Sequence, residues 1–229
     1  MATSGTTTFD LSIDDIIEEA YERCAIRTNS GMDLKSARRS LNILFSEWGN
    51  RGIHLWKVGL KEQLLTAGTA TYDAPGDAND ILEAYISTTT GTTSTTNDVS
   101  LTKISRSEYA ALPNKGSTGQ PSQYYVDRQT TPTITLYQTP DASTYTYVKY
   151  YYLKRIEDAG NYTNQADVVF RFIPCMVAGL AYYLSMKKNP QLTQQSKLIY
   201  EDELSRALNE DGQRTSVYIT PQTYFPQGA

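Results

Sequence analysis

The 229-residue sequence is poor in histidine and cysteine, two residue types that often carry catalysis or bind metals. It contains one histidine, His54, and two cysteines, Cys24 and Cys175. None of them lies in a GxSxG, HExxH or CxxC pattern, and the sequence has no phosphate-binding loop and no dinucleotide-binding motif. We therefore predict no catalytic residue, no metal site and no cofactor. We interpret His54 as structural and both cysteines as buried free thiols in apolar helical patterns.

A strong positive charge and a long apolar run are also missing. The 21 basic and 25 acidic side chains give a net charge of −4, which disfavours a broad phosphate-binding surface and tight duplex binding. The most apolar stretch, residues 173–186, is shorter than the roughly 20 residues that cross a bilayer, so we predict a core helix and no membrane anchor. The N-terminal MATSGTTTFD has no signal-peptide character, and we expect synthesis in a cytosol.

Helical periodicity occurs near both ends of the sequence. Four amphipathic helices are predicted, over residues 12–27, 33–52, 168–188 and 193–212. Ser12 and Asp15 form a capping-box pattern at the start of the first helix, and Gly49 and Gly52 mark the end of the second. Because each helix has one apolar stripe, we predict that all four pack into one bundle and bury Trp48, Leu180 and Leu204.

Two adjacent arginines, Arg38 and Arg39, lie within the second predicted helix, DLKSARRSLNILFSEWGNRG. Neighbouring residues point about 100° apart on a helix, so both cannot lie on the apolar stripe. We predict that at least one of them is available to a partner. The alternative is an ordinary solvated helix face.

The sequence pattern between Ile53 and Ala166 is typical of β-strands. Apolar residues alternate at Trp56, Val58 and Leu60 and again at Ile134 and Leu136. The polar tract at 88–96, TTTGTTSTT, has strand propensity but no core residues, and we interpret it as a protrusion. Ser105 and Glu108 form a second capping-box pattern, which predicts a short helix within this region.

One predicted strand, YTYVKYYYLKR at 145–155, is aromatic on both faces. Tyr145 and Tyr147 lie on one face, and Tyr150 and Tyr152 lie on the other. Such a strand is either enclosed within a domain or covered by a neighbouring chain, because tyrosine suits half-wet contacts. Stacking on single-stranded nucleic acid is an alternative that the few flanking cations disfavour.

The C-terminal segment after Arg214 contains no charged side chain and two prolines that prevent a helix. We interpret it as an extended docking arm. The fold class predicted from the whole sequence is α+β. The helical domain comprises 1–52 and 167–212, an inserted antiparallel β domain, sandwich or barrel-like, comprises 53–166, and the arm comprises 213–229.

The order and spacing of several strings resemble the head-to-tail adaptor, or tail tubular A, proteins of short-tailed bacteriophages. These strings are SARRSLNILFSEWGNRGIHLW, TAGTATYDAP, ISRSEYAALPNKGSTGQPSQYYVDR, ITLYQTPD, YVKYYYLKRIEDAGNY and LAYYLSMKKNP. The resemblance covers most of the chain. It implies a structural virion protein of the phage neck, made in the host cytoplasm, that forms a dodecameric ring joining the portal to the tail nozzle. Genomic DNA would pass through this ring without sequence-specific binding.

In such a ring, partner-binding residues take the place of catalytic ones. Contacts with the portal or a neighbouring subunit are assigned to Arg38, Arg39, Tyr218, Ile219, Tyr224 and Phe225. Contacts with the nozzle or between subunits are assigned to Tyr145, Tyr147, Tyr150 and Tyr152. Two other functions compete with this interpretation: a virion-associated wall-degrading hydrolase that uses acidic residues, and a monomeric carbohydrate-binding β-sandwich with tyrosine platforms.

Overall fold

The computed structural model describes residues 5, 9, 11–27, 31–53, 55–91 and 97–211. His54, residues 92–96 of the threonine tract and the arm predicted at 213–229 lie outside these ranges.

The helices of the structure follow the predicted ones closely. They are α1 (Ile13–Arg23), α2 (Gly31–Asn50), α3 (Arg106–Ala111), α4 (Ile173–Lys188) and α5 (Thr193–Asp211). Both capping boxes are present, Ser12 with Asp15 on α1 and Ser105 with Glu108 on α3. The first helix ends earlier than predicted, because the backbone turns at Ala25, which has a φ of 55°.

The central element of the helical region is α4. The helices α1, α2 and α5 all pack against it, and its residues are buried without interruption from Cys175 to Ala181. The predicted single stripe therefore understates the burial of this helix. Pro174 lies in the first turn, where its missing N–H costs no helical hydrogen bond, so it begins the helix and does not kink it.

A single hydrophobic cluster joins helices from both ends of the sequence. It contains Ile13, Ile16 and Tyr21 from α1, Leu41, Leu44 and Trp48 from α2, Leu180 and Leu184 from α4, and Tyr200, Leu204 and Ala207 from α5. The predicted burial of Trp48, Leu180 and Leu204 is confirmed.

The strands form two four-stranded sheets and one short pair. The first sheet has the order β1 (Val58–Leu64), β10 (Tyr147–Lys154), β3 (Ala78–Ser87) and β4 (Asp98–Ser100), and it is antiparallel throughout. The second has the order β2 (Thr71–Asp73), β8 (Thr133–Tyr137), β7 (Gln123–Asp127) and β5 (Thr102–Ile104), with only β5 and β7 parallel. The pair is β6 (Thr118–Gly119) with β9 (Thr139–Pro140).

A second hydrophobic cluster lies between the two four-stranded sheets. It combines Ile81, Ile86, Val148 and Tyr150 of the first sheet with Tyr124, Val126, Ile134 and Leu136 of the second. The fold is thus mixed α+β, with one core among the helices and another among the strands.

The helices approach one another closely at Gly179 of α4. A Cβ atom built on this residue would lie 2.9 Å from the Cδ atoms of Leu44 and 2.9 Å from Cε2 of Tyr200. The absence of a side chain therefore lets α2 and α5 pack tightly onto the same turn of α4.

We expect Gly179→Ala to lower the free energy of unfolding by about 1–3 kcal/mol through overpacking, despite the higher helix propensity of alanine. The matched control is Gly49→Ala in α2, where nothing lies within 4 Å of the added Cβ; this change should raise stability by up to about 1 kcal/mol. Urea denaturation followed by far-ultraviolet circular dichroism measures both. A Gly179→Ala variant that is as stable as the wild type, or more stable, would contradict the tight packing.

Candidate functional site

The two adjacent arginines of α2 have different environments. Arg38 is half-buried, donates a 2.8 Å hydrogen bond to the carbonyl oxygen of Gly160 and lies 5.5 Å from the centre of the Tyr162 ring. It therefore fixes the segment that leads from β10 to α4. Arg39 is exposed and makes no side-chain hydrogen bond or ion pair within the part of the chain that the structure describes.

Arg39 belongs to an exposed surface that combines positive charge with apolar side chains. The α2 outer surface, as we define it, consists of Met32, Lys35, Arg39 and Ile43, all exposed. Lys187 of α4 borders it and donates a 2.6 Å hydrogen bond to Ser40 Oγ. Burial and, secondly, the charge of Arg39 lower the pKa of Lys187. This surface is suited to a partner with acidic and apolar groups.

The tyrosines of β10 are divided between core and surface. Tyr150 is fully buried and Tyr152 almost so, both in the cluster between the sheets. Burial raises the pKa of Tyr150 to about 12. Tyr145 and Tyr147 are half-buried. Among the four tyrosines assigned to contacts from the sequence, only these two are partly accessible in the single chain.

A buried lysine, Lys149, lies on the face of β10 opposite to Tyr150 and Tyr152. Lys149 is 3 % exposed, and its Nζ donates to the carbonyl oxygen of Gly91 (2.5 Å) and to Asp98 Oδ1 (3.3 Å). The Gly91 N–H donates to Glu62 Oε1 at 2.7 Å. These bonds hold the chain that follows β3 against the sheet, so the described start of the predicted protrusion is attached to the first sheet.

Beside this lysine, the outer face of β1 and β10 is apolar and exposed. Val58 is 42 % exposed, Leu60 41 %, Leu64 56 % and Tyr151 38 %. These four residues, called the β1 face below, point the same way, because Leu60 lies opposite Tyr151, and Leu64 opposite Tyr147, across the strand pair. The alternation at Val58 and Leu60 thus predicts a strand correctly, but its apolar side faces away from the core.

A polar network that runs from the core to the surface positions α5. The hydroxyl group of Tyr200 accepts a hydrogen bond from Trp48 Nε1 (3.0 Å) and donates to Glu47 (3.2 Å). Arg51 forms an ion pair with Glu47 at 2.6 Å and a two-pronged pair with Glu201. The hydrogen bonds from Arg51 lower the pKa of the Glu201 carboxyl. The network therefore holds the middle of α5 against the end of α2.

The two cysteines and Asp80 are the reactive groups whose surroundings the structure shows most clearly. Both cysteines are free and buried, as predicted, and burial raises the pKa of Cys175 to about 12. Within the described ranges, no group of histidine, cysteine, aspartate and glutamate side chains could hold a metal ion. Asp80 pairs with Arg128 at 2.5 Å and with Lys103 at 3.4 Å.

A cleft of about 390 Å³ lies between α2 and the ends of β3 and β10. Its charged lining residues are Lys154, Arg155, Glu157 and Asp158, so it contains both signs of charge. Asp158 accepts a hydrogen bond from the N–H of Gly160. The cleft therefore lies where α2 meets the segment that follows β10.

Two features of these surfaces escape sequence reasoning. The difference between Arg38 and Arg39 depends on Gly160, which is far away in the sequence. The bond from Lys149 to Gly91 is signalled only by a cation in the interior of a tyrosine-rich strand. Tyr218, Ile219, Tyr224 and Phe225 lie outside the described residues. None of the helices described is both long and apolar enough to cross a membrane.

Comparison with known proteins gives one finding. A family model described as SU10 adaptor protein matches residues 7–223 of the chain. No curated protein matches the chain.

We expect Arg38→Ala to lower the free energy of unfolding by about 1–2 kcal/mol, because it removes a charged hydrogen bond to Gly160 and the contact with Tyr162. Arg39→Ala is the matched variant and should change stability by less than about 0.5 kcal/mol, as exposed substitutions usually do. Urea denaturation distinguishes the two. Equal losses at both positions would show that the assignment of one arginine to the fold and the other to the surface is wrong.

Proposed function

The chain belongs to the SU10 adaptor protein family, a family of phage adaptors, and on that premise we propose that it is the head-to-tail adaptor of a short-tailed phage. Proteins of such a family are structural virion components of the head-to-tail connection. The family match over nearly the whole chain is the observation that carries this proposal. In the proposed role, a dodecameric ring of this chain joins the portal to the tail nozzle.

Two different exposed surfaces support assembly into a ring. A closed ring of identical subunits with head-to-tail contacts requires each subunit to present two unlike patches. The α2 outer surface combines Arg39 and Lys35 with Met32 and Ile43, whereas the β1 face consists of three aliphatic side chains and a tyrosine. The first lies on the helical cluster and the second on the sheets, so one chain can contact two partners at once.

We assign the helical cluster and the sheet cluster to separate domains. The helical domain comprises 1–52 and 167–212, and the β domain comprises 53–166. The existence of two hydrophobic clusters, each formed by one type of secondary structure, supports this division. An ion pair between Lys57 and Asp167 lies where the chain leaves the helices and returns to them.

Arg39 is the arginine that we assign to the portal or a neighbouring subunit, because Arg38 is engaged within the chain. The arm anchors Tyr218, Ile219, Tyr224 and Phe225 belong to an uncharged segment that is poorly suited to remain solvated. Tyr145 and Tyr147 are the half-buried tyrosines that a nozzle protein or a neighbouring subunit could cover.

The charge of the chain suits a channel that DNA crosses. A net charge of −4 for each subunit gives a ring whose average field repels phosphate weakly. Such a lumen allows a duplex to slide, because few counterions are released from the DNA on contact. The proposed conduit therefore acts by shape and does not read the DNA sequence.

We expect the purified protein to bind phage heads that carry the portal but lack adaptor and tail, and to saturate at one ring for each head. Arg39→Glu should weaken this binding at least tenfold, because it reverses the charge of the α2 outer surface. The control Lys197→Glu reverses an exposed charge on α5 and should bind as the wild type does. Cosedimentation and negative-stain electron microscopy measure occupancy. Equal binding to heads without a portal, or no binding, would overturn the proposal.

A further inference from the structure

The free edge of the first sheet is an open surface for another strand. The strand order β1-β10-β3-β4 places β1 at the edge, and no strand in the described ranges pairs with its outer side. Its N–H and C=O groups on that side can therefore accept a further strand. The edge is also apolar, because Val58, Leu60 and Leu64 are all substantially exposed.

Protein edge strands are usually protected by charges, prolines or a covering segment. Within β1, Lys61 and Glu62 are the only charged residues, and Glu62 is engaged with Gly91. Proline is absent from the strand. An apolar face of this kind beside an unpaired edge is typical of a site for β-strand addition.

The C-terminal arm has the composition of a strand that could pair with this edge. Its sequence SVYIT at 216–220 contains β-branched and aromatic residues and no charge. Val217 and Ile219 are two residues apart, so in an extended segment they share one face. That face would continue the apolar surface of Val58, Leu60 and Leu64. Pro221 directly afterwards limits the added strand to about the length of β1.

The arm also starts in the right place and is long enough. Helix α5, which precedes the arm in the sequence, packs against the turn Phe170–Phe172. Phe172 lies 4.8 Å from Trp56, ring centre to ring centre, and Trp56 is two residues before β1. At roughly 3.3 Å per residue, β1 is about 23 Å long, and the chain beyond Asp211 has more than twice as many residues.

We propose that residues 216–220 of one copy add as a strand to the free edge of β1 in the next copy, with Val217 and Ile219 over the β1 face. This inference rests on the proposed ring and identifies one of its subunit contacts. Each copy then donates one arm and accepts one, which is the pairing that a closed ring of identical subunits requires.

The direction of the strands favours the neighbour over the same chain. Because α5 packs against the turn that contacts Trp56, we infer that an arm of the same chain would start near the first residues of β1 and pair with it in parallel. An arm that arrives from a neighbour can pair antiparallel, which is the more stable arrangement for each residue. Weak single contacts of this kind hold a ring together through effective concentration.

The experiment uses two full-length variants. The donor variant, Val217→Asp with Ile219→Asp, keeps the β1 edge but cannot supply the arm. The acceptor variant, Leu60→Glu with Leu64→Glu, keeps the arm but blocks the edge. Sedimentation velocity over a concentration series should show wild-type self-association, and each variant should require at least tenfold more protein. A one-to-one mixture of the two should form dimers and nothing larger. Leu198→Glu, on an exposed position of α5, should associate as the wild type does.

A second measurement identifies whose arm is bound. In a chain with Leu60→Cys and Val217→Cys, oxidation should give disulfide-linked dimers and larger species, whereas the native cysteines are buried and do not take part. A disulfide within one monomer would overturn the inference, because it would show that the edge binds the arm of the same chain. It is overturned equally if the wild type stays monomeric or if both variants associate normally. Binding to portal-bearing heads tests the adaptor role separately, because a chain can decorate heads even when this subunit contact is wrong.

Discussion

The burial of α4 on every side is the constraint on which the rest of the structure depends. A helix that is apolar all round needs neighbours on all of its faces, and here α1, α2 and α5 supply them. Gly179 makes this possible, because it lets α2 and α5 contact the same turn. Since α1 and α2 precede the strands while α4 and α5 follow them, the β region must leave the helical cluster and return to it.

This return brings the two ends of the β region together. The ion pair of Lys57 with Asp167 and the contact of Trp56 with Phe172 lie at that junction. Arg38 extends the junction by binding Gly160. The joint between helices and sheets is therefore built from polar and aromatic contacts, and the outward surfaces of α2 and β1 remain exposed in the single chain. The division of roles between the two arginines follows from this arrangement.

Local signals in the sequence predict the helices well, because caps and apolar periods act over a few residues. The capping boxes at Ser12 and Ser105 and the end of α2 near Gly52 are examples. Burial within the β region is harder to predict. In β10 both faces contain tyrosine, yet Tyr150 is buried in the core and Tyr151 is exposed, and only the position of the second sheet decides between them. The two segments of the proposed arm contact, residues 216–220 and β1, are likewise far apart in the sequence.

The most direct test of the adaptor role is a cryo-electron microscopy map of the neck of virions that contain this chain. The account predicts a ring of this fold between the portal and the tail, with α2 and Arg39 at a contact with the portal or a neighbouring subunit. The β1 edge should be paired with an additional strand. A chain located in the capsid shell or at the tail tip, or absent from the virion, would contradict the central claim.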